Sequence, residues 1–303
     1  MFFVKGLYPI FILVVLLSLG CHANASSSDK DIIRLAKAAS ETDNRFQYPE
    51  HILDLALQAS IDTYGPYEII HTNITGTRKR MLAELQSGKN INVHNAPTRP
   101  EWEEKTIPIM FPLLKGLLNY RIFLIHRDNE YTFKNLQTLD DLKRLVAGVG
   151  EQWSTTKALR LLDGFNIETG TNYEGLFGML MAKRFDYFIR GMNEVYREYD
   201  ERKDLYPQLM IEPYVVMELP LPWFLFVSPH YKKLAERIEY GLSKMKADGS
   251  FDAEFFKYHG ESIQKANLAN RKLFRLKNKL LKHHKIYDDP TYWFDPAISV
   301  VLH

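Results

Sequence analysis

Near the middle of the chain lies the run Tyr120-Arg121-Ile122-Phe123-Leu124-Ile125-His126, which is almost uniformly apolar. A short apolar run without alternation of polar residues is typical of a strand that is buried on both faces of its sheet. Such strands are common in α/β proteins, where helices cover both faces of the sheet. We therefore predict a strand over residues 120–126 and expect strands and helices to alternate on either side of it.

The sequence before this run alternates in that way. We predict strands over residues 32–38, 67–71 and 91–94, and helices that start at Pro49 and at Thr77. A proline is well tolerated in the first turn of a helix, and Gly88 is a typical residue for ending one. The order strand–helix–strand–helix–strand predicts an open α/β sheet.

The sequence after the run repeats the same order. Two capping boxes, at residues 138–141 and 171–174, predict helices that extend to Leu145 and Met181. Further predicted strands cover residues 146–149, 185–189 and 223–227, and further helices cover residues 155–162, 231–246 and 251–258. The tail over residues 266–285 is helical in pattern, and residues 287–296 look like an aromatic segment that packs against the body. These elements predict a second α/β unit.

Composition narrows the class of protein. The chain has 303 residues, of which 46% are apolar, and its 39 basic and 37 acidic residues give a net charge of +2. This balance argues against a nucleic-acid binder, which needs an excess of basic residues on one face. The sequence contains no HExxH, GxSxG or phosphate-binding loop motif, so we predict no cofactor and no metal. A weaker alternative is a zinc site formed by His71, His94 and His126, which lie near predicted strand ends.

Residues 1–25 have the features of a secretory signal peptide. Lys5 precedes an apolar segment over residues 7–19, which is too short to span a bilayer, and Ala23-Asn24-Ala25 fits a cleavage site. We therefore predict export to the periplasm and cleavage after Ala25. Two alternatives stay open: the segment is an uncleaved anchor, or the partial lipoprotein box that ends at Cys21 directs acylation of that cysteine.

Several short segments resemble, in the same order, those of one protein family. They cover residues 81–89, 107–113, 120–125, 136–142, 180–187, 222–229 and 245–251. Residues 136–142 are similar to the "SLEDL" entry of a second lobe, and residues 245–251 are similar to the Asp-Gly turn between the last helices. Over residues 30–260 the chain thus resembles the type-2 periplasmic solute-binding proteins, which include the family 3 amino-acid-binding components of ABC importers.

The resemblance implies a fold of two α/β lobes, each an open sheet flanked by helices, joined by two hinge strands. Lobe 1 would comprise residues 26–121 and 223–303, and lobe 2 residues 122–222. The implied function is capture of a small anionic or zwitterionic, amino-acid-like solute between closing lobes, for the permease of an ABC importer. The implied protein is a monomer and not an enzyme. It would not bind nucleic acid, and it would contact the membrane only if Cys21 is acylated. Two alternatives stay open: a ligand-sensing module for a signalling partner, or a cyclohexadienyl dehydratase-like enzyme with Glu174 or Glu194 as general acid.

In such a fold the ligand cleft is lined by the loops that follow the strands. Arginines there would bind carboxylates, acidic residues would take an ammonium group, and helix N-termini would take an anion. The candidates are Asp43, Arg45, Tyr48, Asn95, Thr98, Arg99, Arg121, Trp153, Ser154, Thr155, Tyr173, Glu174, Arg190, Asn193 and Glu194. In amino-acid-binding relatives an Arg follows a Thr after a few residues and an Asp follows the "R.D" strand. Here Arg99 follows Thr98 directly and Gly191 takes the place of the Asp, so the ligand need not be a plain α-amino acid.

Overall fold

The computed structural model describes residues 1–2, 30–37 and 46–296. The predicted signal peptide therefore lies, apart from its first two residues, outside the described residues. The same holds for Cys21 and for the candidate ligand contacts Asp43 and Arg45.

The described chain alternates strands and helices. The strands are β1 (Asp31–Ala36), β2 (Tyr67–Thr72), β3 (Val93–Pro97), β4 (Ile107–Ile109), β5 (Tyr120–His126), β6 (Val146–Gly150), β7 (Asn166–Gly170), β8 (Tyr187–Gly191), β9 (Leu209–Ile211), β10 (Val215–Glu218), β11 (Trp223–Val227) and β12 (Lys272–Arg275). The helices are α1 (Gln47–Ala59), α2 (Ile61–Tyr64), α3 (Arg78–Ser87), α4 (Pro100–Lys105), α5 (Glu130–Lys134), α6 (Leu139–Arg144), α7 (Ser154–Arg160), α8 (Tyr173–Met181), α9 (Val195–Asp200), α10 (Lys232–Ala247) and α11 (Ser250–Ala266).

The first lobe is built around β1–β4 and β11. Strands β1 and β2 are parallel, and β11 lies between β3 and β4 and is antiparallel to both. The pairs are joined beside β3, where the amide of Arg34 donates to Asn92 Oδ1 and the amide of Asn92 donates to the Arg34 carbonyl. The two-stranded sheet β2-β1 thus lies next to the three-stranded sheet β3-β11-β4, and α1 and α10 pack against each other in this lobe.

The second lobe is built around the remaining strands, in the order β12-β10-β5-β8-β6-β7, with β9 also paired to β5. Strand β5 is antiparallel to β8, whereas β6 is parallel to both β7 and β8. All seven residues of β5 are buried, as its apolar sequence predicts. In each lobe the antiparallel strand inside the sheet, β11 or β5, is the one that enters from the other lobe.

Two connections join the lobes, and they lie side by side. The first connection (residues 110–119) leads from β4 to β5, and the second connection (residues 219–222) leads from β10 to β11. Asn119 binds the second connection twice, because its carbonyl accepts from the amide of Leu219 at 2.8 Å and its Oδ1 accepts from the amide of Leu221 at 2.7 Å. The two crossings between the lobes are therefore hydrogen-bonded to each other.

The α/β class and most of the predicted elements are confirmed. The first capping box is present, with Thr138 and Asp141 bonding to each other's backbone amides. The second is wrong: Asn172 caps α8 by accepting from the amide of Gly175, so the helix starts one residue later. Among the described helices, none combines the length and the apolar character that a membrane-spanning helix requires.

The predicted helical tail is also wrong. Residues 272–275 form β12, which pairs in parallel with β10 at the edge of the second sheet. The backbone groups that β10 would otherwise expose are satisfied by this pairing, a long-range effect that outweighs the local helical pattern. The predicted lobe boundaries place residues 223–303 in the first lobe, yet β12 extends the sheet of the second lobe; the boundaries themselves stay a prediction. The aromatic segment does pack on the body, and Phe294 is buried there.

Candidate functional site

A cleft of about 430 Å³ lies between the two lobes. The first lobe lines it with the segments that follow β1 and β2 and with part of β3, and the second lobe lines it with the segments that follow β6, β7 and β8. This is the position that open α/β sheets generally use for ligands, beyond the carboxyl ends of their strands. Of the predicted contacts, the cleft brings together Asn95, Arg121, Trp153, Ser154, Thr155, Tyr173, Arg190 and Glu194.

Arg121, the second residue of β5, is a buried cation that lines the cleft. Its side chain is buried, and its Nε has no hydrogen-bond partner within the described part of the chain. Burial lowers the pKa of Arg121 to about 10; Glu194 opposes this shift and Arg190 adds to it. Arg121 therefore stays cationic at neutral pH, and a guanidinium can donate hydrogen bonds to an anion in the cleft.

Arg190, at the end of β8, is by contrast fully engaged. It donates through Nε and Nη2 to both carboxylate oxygens of Glu198, and its Nη2 lies 3.1 Å from Oε2 of Glu194. Burial lowers the pKa of Arg190, but the two carboxylates outweigh burial and hold it above its usual range. The hydroxyl of Tyr173 also donates to Glu198, at 2.6 Å. Arg190 therefore forms ion pairs with residues of the second lobe, although it lines the cleft.

Glu194 occupies the space where the resemblance expects an acidic residue at position 191. Its Oε2 accepts from the amide of Gly191 at 3.2 Å and lies 3.1 Å from the point that a Cβ on Gly191 would occupy. Asn193 and Leu118 approach the same point to within 3.0 Å, so a larger residue does not fit there. The carboxylate of Glu194 thus lies beside Gly191, the position at which the resemblance expects an Asp.

Aromatic rings form the walls of the cleft on both sides. In the second lobe Trp153 lies parallel to Phe188, and the guanidinium of Arg190 lies 4.8 Å from the Trp153 ring. In the first lobe Trp223 donates from Nε1 to Asn95 Oδ1 at 2.9 Å. His94 also lines the cleft; burial, followed by the nearby Arg78, lowers its pKa to about 3, so it is neutral near pH 7.

Arg99 joins the two lobes instead of lining the cleft. It follows β3 in the first lobe and donates from Nε to Ser154 Oγ at 3.0 Å and from Nη2 to the carbonyl of Gln152 at 2.9 Å, both in the second lobe. Glu101 lies near Lys157 of the second lobe, at 3.5 Å. The lobes are therefore in direct contact across one side of the cleft.

Four other candidates also lie away from the cleft, and their predicted ligand contacts are not carried forward. Thr98 donates to Glu103 behind β3, and Glu174 pairs with Arg202 on the outside of α8. Tyr48 and Asn193 line a second, small cavity of about 20 Å³, together with His259 and one side of Glu194. One reason accounts for these positions: a place in a loop predicts the end of the sheet at which a residue lies, but not the direction of its side chain.

The segment that follows β2 was not among the predicted ligand contacts. Thr75, Gly76, Thr77 and Arg78 line the cleft, and Thr77 caps α3 by accepting from the amide of Arg80. The same loops-after-strands rule applied to β2 would have found them. Phe46 and His94 were missed for a different reason, since aromatic residues next to a strand are more often core than ligand contacts.

The three histidines of the alternative zinc site do not meet. His71 pairs with Glu50, His126 accepts from the amide of Asp128, and His94 stacks on Trp102. Within the described ranges, no group of three or more His, Cys, Asp or Glu side chains is arranged to hold a metal ion.

No family model and no curated protein matches the chain in sequence. Many solved structures match it in fold. A structure described under glutathione import via GshT and the cystine ABC importer TcyBC of Streptococcus mutans has a TM-score of 0.55 and 13% identity, over 76% of this chain and 95% of that chain. An ancestral arginine-binding protein bound to glutamine has a TM-score of 0.52 and 17% identity, over 76% and 99% of the two chains.

A third match is an ancestral amino acid-binding protein described as a precursor of cyclohexadienyl dehydratase. Its TM-score is 0.50 at 18% identity, over 75% of this chain and 95% of that chain. At such low identities these likenesses establish the fold alone. The chain has the two-lobed fold of type-2 periplasmic binding proteins, as the sequence predicted.

Proposed function

We propose that the protein is exported to the periplasm, where it captures a small anionic or zwitterionic, amino-acid-like solute between its lobes and presents it to the permease of an ABC importer. The observation that carries the proposal is the buried guanidinium of Arg121, which faces the cleft between the lobes without a hydrogen bond to its Nε in the described chain. A buried charge without a partner is costly, so a site that keeps one gains most when a ligand supplies the opposite charge.

The roles of the two charged groups follow from their surroundings. Arg121 is the proposed anchor for a ligand carboxylate, because a guanidinium can donate two parallel hydrogen bonds to it. Glu194 is the proposed acceptor for an ammonium group, because its carboxylate lies at the position where the resemblance expects the family's Asp. Trp153 and Trp223 provide apolar surface for the rest of the solute.

Solved structures of the same fold support a binding role. One protein of this fold is an ancestral arginine-binding protein bound to glutamine, and another comes from work on the structural basis of glutathione import. The same fold includes a precursor of a dehydratase, so turnover belongs in the test. Both predicted general acids are engaged by arginines: Glu174 pairs with Arg202 and does not line the cleft, and Oε2 of Glu194 lies 3.1 Å from Nη2 of Arg190.

The test is a thermal-shift screen of amino acids, their 2-hydroxy analogues and small carboxylates, followed by calorimetry of the hits. A ligand at about a hundred times its Kd should stabilise the protein by roughly 2.7 kcal/mol. We expect Arg121→Gln to weaken binding of the best hit by more than about tenfold, equivalent to roughly 1.4 kcal/mol. Without ligand, the same variant should have an equal or higher free energy of unfolding than the parent protein, because it removes a buried charge whose Nε has no partner in the described chain.

Arg184→Gln is the matched control, because Arg184 is exposed in the second lobe and its nearest partner, Glu168, lies 3.9 Å away. Equal affinity in the Arg121 and Arg184 variants would contradict the proposed anchor.

Comparing each amino acid with its 2-hydroxy analogue in Glu194→Gln tests the ammonium acceptor, since only the amino acid should lose affinity. Incubation with cyclohexadienyl acids completes the test, because product formation would identify an enzyme.

A further inference from the structure

The last described part of the chain, residues 271–296, runs along both connections between the lobes. We call this segment the tail. It leaves α11 and first forms β12, whose residues Lys272–Arg275 pair in parallel with Val215–Glu218 of β10. Because β10 leads directly into the second connection, the tail begins beside the hinge.

The tail then follows the second connection. The amide of Leu276 donates to the carbonyl of Glu218 at 2.8 Å, and Nδ2 of Asn278 donates to the carbonyl of Pro220 at 2.9 Å. Arg275 pairs with the carboxylate of Glu218 at 3.0 Å. The chain that enters the hinge is therefore hydrogen-bonded on one side to the tail.

The end of the tail lies against the first connection. The amide of Phe294 donates to the carbonyl of Lys115 at 2.7 Å, and the phenyl ring of Phe294 is buried. The Trp293 ring covers Gly116, where a Cβ would lie only 2.9 Å from ring atom Cε3. Gly116 also has a φ of 79°, a conformation that favours glycine. The absence of a side chain at Gly116 thus lets the tryptophan contact the connection closely.

Between these two ends the tail is attached to the first lobe. Lys282 pairs with Glu104 at 2.6 Å, and His284 pairs with Glu103 at 3.0 Å. One continuous segment is therefore paired with the sheet of the second lobe, bound to the surface of the first lobe, and bound to each connection.

Hinge closure in two-lobed proteins is absorbed by backbone rotations in a few connecting residues. In this chain those residues share hydrogen bonds with a third segment, so a large rotation must break the bonds to Glu218, Pro220 or Lys115. We propose that the tail is a hinge brace that limits how far the lobes open. This inference rests on the fold and the contacts of the tail, and it does not depend on which solute the cleft binds.

The first experiment measures the distance between the lobes in the ligand-free protein. Spin labels are placed at Ala83→Cys in α3 and Thr132→Cys in α5, both exposed, in a chain in which Cys21 is replaced by serine. The distance distribution is then recorded by double electron–electron resonance. In the variant Asn278→Ala/Trp293→Ala we expect the distribution to shift to longer distances, because both connections have lost a contact with the tail.

Lys282→Ala is the matched control, because it removes a tail contact with the first lobe but none with a connection. It should leave the distance distribution unchanged. An unchanged distribution in the double variant, with cooperative unfolding retained, would overturn the proposal. So would an equal shift in the control, because any loosening of the tail would then have the same effect.

A second measurement on the unaltered chain remains informative even if the double variant fails to fold. Hydrogen–deuterium exchange reports how often the amides of Leu276 and Phe294 are released from Glu218 and Lys115. For a brace, we expect both amides to exchange as slowly as those of β5. Exchange on the time scale of an exposed loop would show that the tail does not hold the hinge, and would overturn the proposal.

Discussion

Two arginines of the cleft differ in whether neighbouring carboxylates already bind them. Arg121 and Arg190 lie on adjacent strands, and Arg190 is paired in the sheet with Ile122, next to Arg121. Both are buried, and both were predicted as ligand contacts. Arg190 has two carboxylates within hydrogen-bond distance, whereas Arg121 has an unpartnered Nε within the described chain. Arg190 is thus held by the protein, whereas Arg121 is the residue that we propose as the ligand's anchor.

At the residue scale, we predict that Arg190→Ala destabilises the fold. The substitution leaves the buried carboxylate of Glu198 without its bidentate partner, and breaking a buried pair costs about 3–5 kcal/mol. Chemical denaturation of the ligand-free protein measures this loss. Arg190→Leu/Glu198→Leu should recover part of it, because both charges are removed together. Normal stability combined with lost ligand binding would instead make Arg190 a direct ligand contact.

At the element scale, the first lobe depends on a very close helix pair. Helices α1 and α10 approach so closely at Gly241 that a Cβ there would lie 1.9 Å from the carbonyl oxygen of Ala56. Both helices present an apolar face to this contact, including Ala56, Ile52 and Ile238. Helix α1 follows the segment after β1 and carries Glu50 towards the cleft. The packing of this pair therefore positions one wall of the site.

Gly241→Ala should consequently destabilise the protein by roughly 1–3 kcal/mol or more, since the added methyl group forces α1 and α10 apart. Gly178→Ala in α8 is the matched comparison. A Cβ at Gly178 meets only the Tyr206 hydroxyl, at 3.8 Å. That variant should gain about 0.4–1 kcal/mol because alanine restricts the unfolded chain. Urea unfolding of both variants measures the two effects, and equal changes would contradict the close approach of the helices.

At the scale of the whole molecule, we propose that contacts between the lobes contribute to the free energy of cleft closure. Arg99 reaches from the first lobe to Ser154 and Gln152 of the second, and the tail binds both connections. A ligand that contacts both lobes shifts the equilibrium between open and closed forms only by its difference in affinity for the two. Contacts such as those of Arg99 lower the part of the closure energy that the ligand must supply.

We therefore expect Arg99→Ala to open the ligand-free molecule and to weaken binding of any hit from the screen by about tenfold, or roughly 1.4 kcal/mol. Small-angle scattering should give a larger radius of gyration for the variant than for the parent protein. Arg160→Ala is a suitable control, because this arginine pairs with Glu151 inside the second lobe. If the two variants scatter alike, the Arg99 contacts do not hold the lobes together.

The amino-acid sequence by itself determined the elements whose signals are local. The apolar run of β5, the capping box of α6 and the glycine that ends α3 each depend on residues a few positions apart, so they could be predicted before any contact was known. The order of these elements predicted the α/β class, and the resemblance over residues 30–260 implied the two-lobed fold and the position of the cleft.

Only the tertiary structure decided which predicted residues face the cleft and which of them are already engaged. The partners of Arg190, Arg99 and Glu174 lie 8, 55 and 28 residues away along the chain. Residues 272–275 form a strand because they pair with the edge of β10, which lies far from them in sequence. Such pairings arise from packing between distant segments, and a local sequence pattern does not contain that information.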